Sequence, residues 1–389
     1  MPHGLAARRD GRGGAHPFPC GPPRVPCARA GDRTHAVWRD DPRPRHRVCF
    51  VSARRLQQQA CLADALREAA SRTQAGHVRR RVFVVGCPRS GTTLLQSLLH
   101  AHRQIRSQPE THFLPMMLGS EEHRRCDADR PRAPMARLRH WRRDAFTRWS
   151  LVDPRRAKRT WTFLRQLNLP VDAPDRDRWR LAAQLHAFVR TLDAHALAMH
   201  KPIWVEKTPD HLFYIDHLRS GVPDARFIHV QREGTQVVGS LYRAARDHPG
   251  WRPFLSLEKC VDRWDTARRE SERWRNDPRH LHVSYEALVR TPRDTMGRVL
   301  AFLGCEPDDT LWSRYRTLAG GLIRTDEPWK AGNLEPLQAR DPFGDVLDAA
   351  QRRWVESALA SRVGIRAVAH LPASRATRLT QAGIRMPHA

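Results

Sequence analysis

The sequence predicts an α/β fold: a mainly parallel sheet flanked by helices, carrying a helical basic insert. Two observations predict it. Val82–Gly86 is a continuous apolar run, as expected of a strand buried on both faces. It leads through a glycine-bearing loop into Thr92–His102, where Leu94, Leu95, Leu98 and Leu99 fall at helical spacing. Short apolar runs then recur at Ile203–Val205, Arg226–Val230 and Leu281–Val283. Amphipathic stretches separate them, over 176–199, 210–220, 233–246, 256–275 and 292–303. Alternating strand and helix signals of this kind build a parallel sheet. The opening strand–loop–helix is a P-loop-type unit, which sets backbone N–H groups and a helix N-terminus against an anion. No internal repeat interrupts the pattern.

The 389 residues have room for one large domain or two ordinary ones. With 22 glycines, 29 prolines and 40% hydrophobic residues, part of the chain is expected to stay unpacked. Residues 1–50 are rich in Arg, Pro and Gly, and little apolar surface offsets the entropy of ordering them. They are expected to be disordered, with an upstream translation artefact as the alternative. Residues 51–78 form a candidate helical lead-in, with Leu56, Ala60, Ala63 and Leu66 at helical spacing. The main domain is placed at 79–370, its insert 121–200 mainly helical, and 371–389 as a flexible tail. Within the insert, 121–160 is strongly basic and carries Trp141 and Trp149, with Trp161 just beyond. A solvated helical face and a binding surface both fit that stretch.

The net charge is +27, yet only five of 68 basic residues are lysines: 158, 201, 207, 259 and 330. Such an arginine skew follows from GC-rich coding; a polyanionic partner is the other reading. None of the eight cysteines forms a C-x-x-C pair, and no Cys/His group has zinc spacing. No apolar run approaches the ~18 residues of a membrane span, and no secretory signal opens the chain. A reducing, cytoplasmic setting is expected. The sequence sets no oligomeric state.

The loop Gly86–Cys87–Pro88–Arg89–Ser90–Gly91–Thr92–Thr93 has Thr92 where a nucleoside-triphosphate loop carries lysine. A Mg-dependent NTPase also needs a second strand ending in an acidic residue. The best candidate here, RFIHVQ, is followed by Arg232 instead, and Ser240 comes eight residues later. Together Arg232 and Ser240 suit a second, separate phosphate. The expected ligand is a nucleotide with phosphates in two places and no metal.

At these residues the chain resembles the sulfotransferases that use 3′-phosphoadenosine 5′-phosphosulfate (PAPS), in the PRSGTT form of tyrosylprotein sulfotransferases and their bacterial relatives. VGCPRSGTTLL is similar to their 5′-phosphosulfate loop, and RFIHVQREGTQVVGSLYR to their 3′-phosphate motif. WVEKTPD (204–210), HVSYEALVRTP (282–292) and TDEPWKAGNLEPL (325–337) follow in the expected order. The resemblance spans about 80–340.

It implies roles residue by residue. Arg89, Ser90, Gly91, Thr92 and Thr93 would hold the phosphosulfate, with Arg89 also catalytic. IRSQPETHFLP (105–115) resembles the stretch that supplies the general base, making Glu110 the base and His112 the alternative. Lys207 would meet the charge developing on the bridging oxygen, which suits a point cation with movable donors. Arg232 and Ser240 would bind the 3′-phosphate, and Tyr285, Thr325, Lys330 and Asn333 would complete the nucleotide pocket. No metal is implied. The acceptor would be a hydroxyl, on a carbohydrate, lipid or small metabolite before protein tyrosine, and one bearing negative charge suits the basic insert. The tyrosylprotein group has a serine before the Thr-Asp of the late loop; here Arg324 stands there, so either the arginine performs that task, the register is shifted by one, or the acceptor differs, which weakens the carry-over of tyrosine specificity. Three other readings are a P-loop small-molecule kinase, a basic nucleic-acid-binding protein and an inactive nucleotide-binding relative. The missing lysine speaks against the first, and nothing in the second needs a phosphate loop. Retained Glu110 and Lys207 speak against the third.

Overall fold

The computed structural model describes residues 77–119, 151–174, 178–335, 337–338 and 341–369. Five parallel strands form one sheet: β1 (Arg80–Gly86), β2 (Ile105–Ser107), β3 (Ile203–Lys207), β4 (Arg226–Gln231) and β5 (His280–Ser284). Their order is β2-β3-β1-β4-β5, so the first strand is central. β2 and β3 lie on one side of β1, β4 and β5 on the other, so the strand order reverses beside β1. In open α/β sheets that switch point, outside the carboxyl ends of the strands, is where ligands bind.

The period-2 alternation of the strands sorts their side chains into two cores. Phe83, Val85, Trp204 and Phe227 enter one; Val82, Val84, Ile203, Val205, Ile228 and Val230 enter the other. Val82 to Val85 have no exposed surface, which explains an apolar run with no polar alternation. Phe83 stacks on Phe227 at 5.6 Å and meets Trp204 edge-on at 5.4 Å. Burying each such ring contributes about 1.5–3 kcal/mol, and each aromatic pair about 0.5–1.5 more.

The helices are α1 (Thr92–Ala101), α2 (Phe113–Leu118), α3 (Pro154–Gln166), α4 (Leu181–Ala198), α5 (Ile215–Gly221), α6 (Gly234–Asp247) and α7 (Leu257–Glu272). After β5 come α8 (Tyr285–Arg290), α9 (Pro292–Leu303), α10 (Leu311–Ala319), α11 (Pro342–Val346) and α12 (Ala349–Ala369). The stretch expected as a helix over 210–220 is divided: Pro209–Tyr214 is 3-10 and α5 follows. The strand expected over Ile203–Val205 runs two residues further, so Lys207 closes it.

Of the basic stretch 121–160, only 151–160 falls among the described residues. There Asp153 caps α3, accepting from the Arg155 N–H at 2.7 Å. Trp161 belongs to the core rather than to a binding surface: it is 4% exposed, packs on Phe113 and donates to Gln184 Oε1. Trp141, Trp149, residues 1–76 of the expected disordered start and helical lead-in, and the expected tail 371–389 lie outside the described residues. Among the described residues, no helix is long and apolar enough to cross a membrane.

Candidate active site

The chain leaves β1 through Cys87–Gly91, where the Ser90 N–H donates to the Cys87 carbonyl at 3.2 Å. Arg89 and Gly91 take left-handed backbone angles, φ 72° and 92°. Gly91 is required twice over. Its φ is one that only glycine adopts freely, and a Cβ there would lie 2.3 Å from the Tyr285 ring. α1 then begins at Thr92 with no side-chain cap and no acidic residue in its first turn. Its positive end faces a cleft of about 440 Å³, lined among others by Gly91, Thr93, Glu110, Arg232, Tyr285 and Lys330. Burial pushes the Cys87 thiol up to about 12, which disfavours its thiolate.

Residues far apart in the chain close one end of the cleft. Arg89 Nε donates to Ser240 Oγ at 3.1 Å, and its Nη1 to the Trp329 carbonyl at 3.1 Å. Arg232 follows β4 directly; its Nη1 donates to the Arg89 carbonyl at 3.3 Å and its guanidinium lies 4.2 Å over the Tyr285 ring. Two arginines, the Ser240 hydroxyl and an open helix N-terminus thus converge on one volume.

At the other end four charged side chains alternate in sign. Lys207 Nζ bonds Glu110 Oε1 and reaches Thr93 Oγ1 at 3.1 Å. Lys330 Nζ touches the same Glu110 oxygen at 2.6 Å and Glu327 Oε1 at 2.5 Å. His112 Nε2 lies 3.4 Å from Glu110 Oε2. Lys207, Glu110, Glu327 and Lys330 are 1%, 6%, 4% and 5% exposed. Burial raises the Glu110 carboxyl, but the charges of Lys207, Lys330 and His112 outweigh it and hold the group well below the usual carboxylate range. Burial brings Lys207 down to about 8, against the pull of Glu110. Burial also lowers His112. Oxygen and nitrogen atoms of Glu110, His112 and Glu327 come within 4.8 Å of one another, close enough to share a cation. The cations found among them are the two ammonium groups.

Four of the cleft residues sit at or just past the carboxyl end of a strand, Glu110 after β2, Lys207 on β3, Arg232 after β4 and Tyr285 after β5, whereas Glu327 and Lys330 come from the turn after α10. Beneath Lys207, the fully buried Glu206 pins the segments together. It accepts from Thr111 Oγ1, Thr208 Oγ1 and His211 Nδ1, each at 2.7 Å. Asp210 pairs with the buried Arg263, and both line the cleft.

The structure brings Arg89, Gly91, Thr92, Thr93, Glu110, Lys207, Arg232, Ser240, Tyr285 and Lys330 together. Ser90 is buried in the turn itself, 1% exposed. Thr325 is exposed and does not line the cleft. Asn333 is in the 3-10 turn Pro328–Leu334, and its side chain lies outside the described residues. Arg324 forms a pair with Asp326 and covers the Phe163 ring at 4.9 Å. Sequence reasoning passed over Glu206, Glu327 and the Asp210–Arg263 pair. Glu206 alone left a signal, a charge inside the apolar β3.

The family description "Sulfotransferase family" matches residues 81–309, more than half of the chain. The chain belongs to the sulfotransferase family. Protein-tyrosine sulfotransferase A of Caenorhabditis elegans is 23% identical over 268 residues, covering 66% of this chain and 60% of that protein. Protein-tyrosine sulfotransferase 2 of Gallus gallus is 24% identical over 272 residues, covering 66% of this chain and 62% of that protein. The chain therefore spans less than two thirds of the length of these curated relatives. Among solved structures, the sulfotransferase domain of the Synechococcus olefin synthase is 20% identical with a TM-score of 0.40, covering 74% of this chain and 97% of its own. A mouse sulfotransferase complexed with PAP is 12% identical with a TM-score of 0.42, covering 77% and 88%.

Proposed function

We propose that this chain is a PAPS-dependent sulfotransferase that moves a sulfuryl group to an acceptor hydroxyl. One observation carries the reading: a buried carboxylate and a buried ammonium group, Glu110 and Lys207, stand in contact at the mouth of a phosphate loop. The residues fit the donor. Gly91 lets the loop backbone turn at φ 92° against the Tyr285 ring, α1 presents an uncapped N-terminus to the cleft, and Arg232 with Ser240 could take a second phosphate.

The donor supplies the sulfuryl group; the protein supplies order and charge. Glu110 takes the proton of the acceptor hydroxyl as the new S–O bond forms. Lys207 would meet the negative charge left on the phosphate oxygen as the bridging S–O bond breaks, and Arg89 would offer its guanidinium to the sulfuryl oxygens. The buried cluster keeps water from competing. No step calls for a metal.

The acceptor is proposed to be a carbohydrate, lipid or small-metabolite hydroxyl, including acidic ones. Protein tyrosine, named in the relatives' descriptions, is the second reading. Arg324, where the tyrosylprotein group has serine, favours the first. Cys87, Cys260 and Cys305 are free thiols, in keeping with a reducing, cytoplasmic setting. Radiolabelled PAPS tested against acceptor classes, with Glu110→Gln as control, is the direct test. Calorimetry separates a kinase: adenosine 3′,5′-bisphosphate should bind and Mg–ATP should not. The reverse result refutes the proposal.

A further inference from the structure

Lys330 was expected in the nucleotide pocket, yet its ammonium group lies on the base itself. Glu110 Oε1 holds two ammonium groups, Lys207 and Lys330. A carboxylate so engaged is a poor proton acceptor, because each cation stabilises its ionised form. Glu327 gives Lys330 a second seat 2.5 Å away, and that seat is fixed. Glu327 Oε2 accepts from the Arg324 N–H at 3.1 Å, and Glu327 opens the turn whose Trp329 carbonyl accepts from Arg89 of the phosphate loop. The alternating row Lys207–Glu110–Lys330–Glu327 sums to zero charge, which is what makes four buried ionised groups tolerable.

Resting on the sulfotransferase reading, we propose that Glu327 is a positioning residue that holds Lys330 within reach of both the base Glu110 and the donor's phosphosulfate. Donor binding places further negative charge beside Thr93 and Arg89, where Lys330 also faces the cleft. Lys330 then turns to that charge with Glu327 as its remaining carboxylate partner, and Glu110 is released to accept the acceptor's proton. The donor thus switches on the base, and the donor binds before the acceptor reacts.

The test uses the full chain, with Glu327→Gln, Glu327→Asp and Lys330→Met. Calorimetry with adenosine 3′,5′-bisphosphate gives a readout apart from turnover. Glu327→Gln leaves Lys330 on Glu110 and out of reach of the donor, so the bisphosphate should bind about tenfold weaker. Its kcat should fall about 10–100-fold, because Lys330 is left on Glu110. Glu327→Asp should restore most of kcat. Lys330→Met should weaken bisphosphate binding and move the acid limb of the kcat–pH profile upward, since Glu110 loses a cation. Unchanged binding in Glu327→Gln, kcat within twofold of the parent, or no rescue by Glu327→Asp overturns the proposal, since a merely structural role would not depend on the carboxylate's charge. If Glu327→Gln does not fold, the direction of the Lys330→Met shifts decides. A parent protein that binds no bisphosphate refutes the sulfotransferase reading itself; a parent that binds, with unshifted variants, refutes only the role of Glu327.

Discussion

Glu206→Gln tests whether the site is held from beneath. Glu206 has no exposed surface and accepts three hydrogen bonds of 2.7 Å, besides a longer one of 3.4 Å from the Thr111 N–H. Each bond to an ionised acceptor is worth roughly 1.5–3 kcal/mol. An amide keeps one carbonyl oxygen, so the threonine hydroxyls retain neutral bonds, but it turns an NH2 toward His211. The expected loss is about 3 kcal/mol of stability, read as a lower urea midpoint by circular dichroism at pH 7. Glu110 precedes Thr111 and Lys207 follows Glu206, so displacing this joint by about 1 Å should lower kcat about 100-fold. Binding of adenosine 3′,5′-bisphosphate should stay within about threefold, because Glu206 is bonded to Thr111, Thr208 and His211 and not to the phosphate loop, Arg232 or Tyr285. A stability loss below about 1 kcal/mol, or binding that falls as far as kcat, would refute this reasoning.

Gly91→Ala should reduce bisphosphate affinity at least about tenfold, because its Cβ meets the Tyr285 ring; unchanged affinity by calorimetry would contradict the tight loop. Arg232→Ala should weaken bisphosphate binding while leaving that of adenosine 5′-phosphosulfate, which lacks the 3′-phosphate, nearly unchanged; equal losses would show that Arg232 does not read the 3′ side. Acid should destabilise the fold. Burial lowers His100 and His280 to about 4 and His195 to about 3. Below the unfolded value near 6.5, the unfolded chain takes up protons first. Stability is therefore full above pH 6.5 and falls toward pH 4, by up to about 1.4 kcal/mol per pH unit for each histidine. A denaturation midpoint equal at pH 7 and pH 5 would contradict this. EDTA should leave turnover unchanged, since lysine ammonium groups already sit among Glu110, His112 and Glu327; loss reversed by added metal would overturn that assignment.

Much of the sheet was legible because a strand buried on both faces has no polar alternation to disguise it. α9 was legible at both ends, since Pro292 starts it and Gly304, at φ 67°, stops it. Other elements were not. α10 and α12 lie well beyond the last strand and, unlike α9, neither is opened by a proline. Within the site, motif spacing located the residues that follow each strand. It could not show Lys330 on Glu110, a contact across 220 positions, or the dependence of Gly91 on Tyr285. Those follow from long-range packing, which brings the turn after α10 onto Glu110 and the end of β5 onto Gly91.

The ring of Tyr285 touches Gly91 on one occasion and shelters the Arg232 guanidinium on another, so one side chain clasps the ends of β1, β4 and β5. A recess fastened in this way has no hinge of its own. Amide protons of the loop should exchange with solvent at the pace of the central strands, through whole-domain opening rather than local fraying. Adaptation to a new acceptor would then proceed by altering the far rim, leaving the clasp untouched.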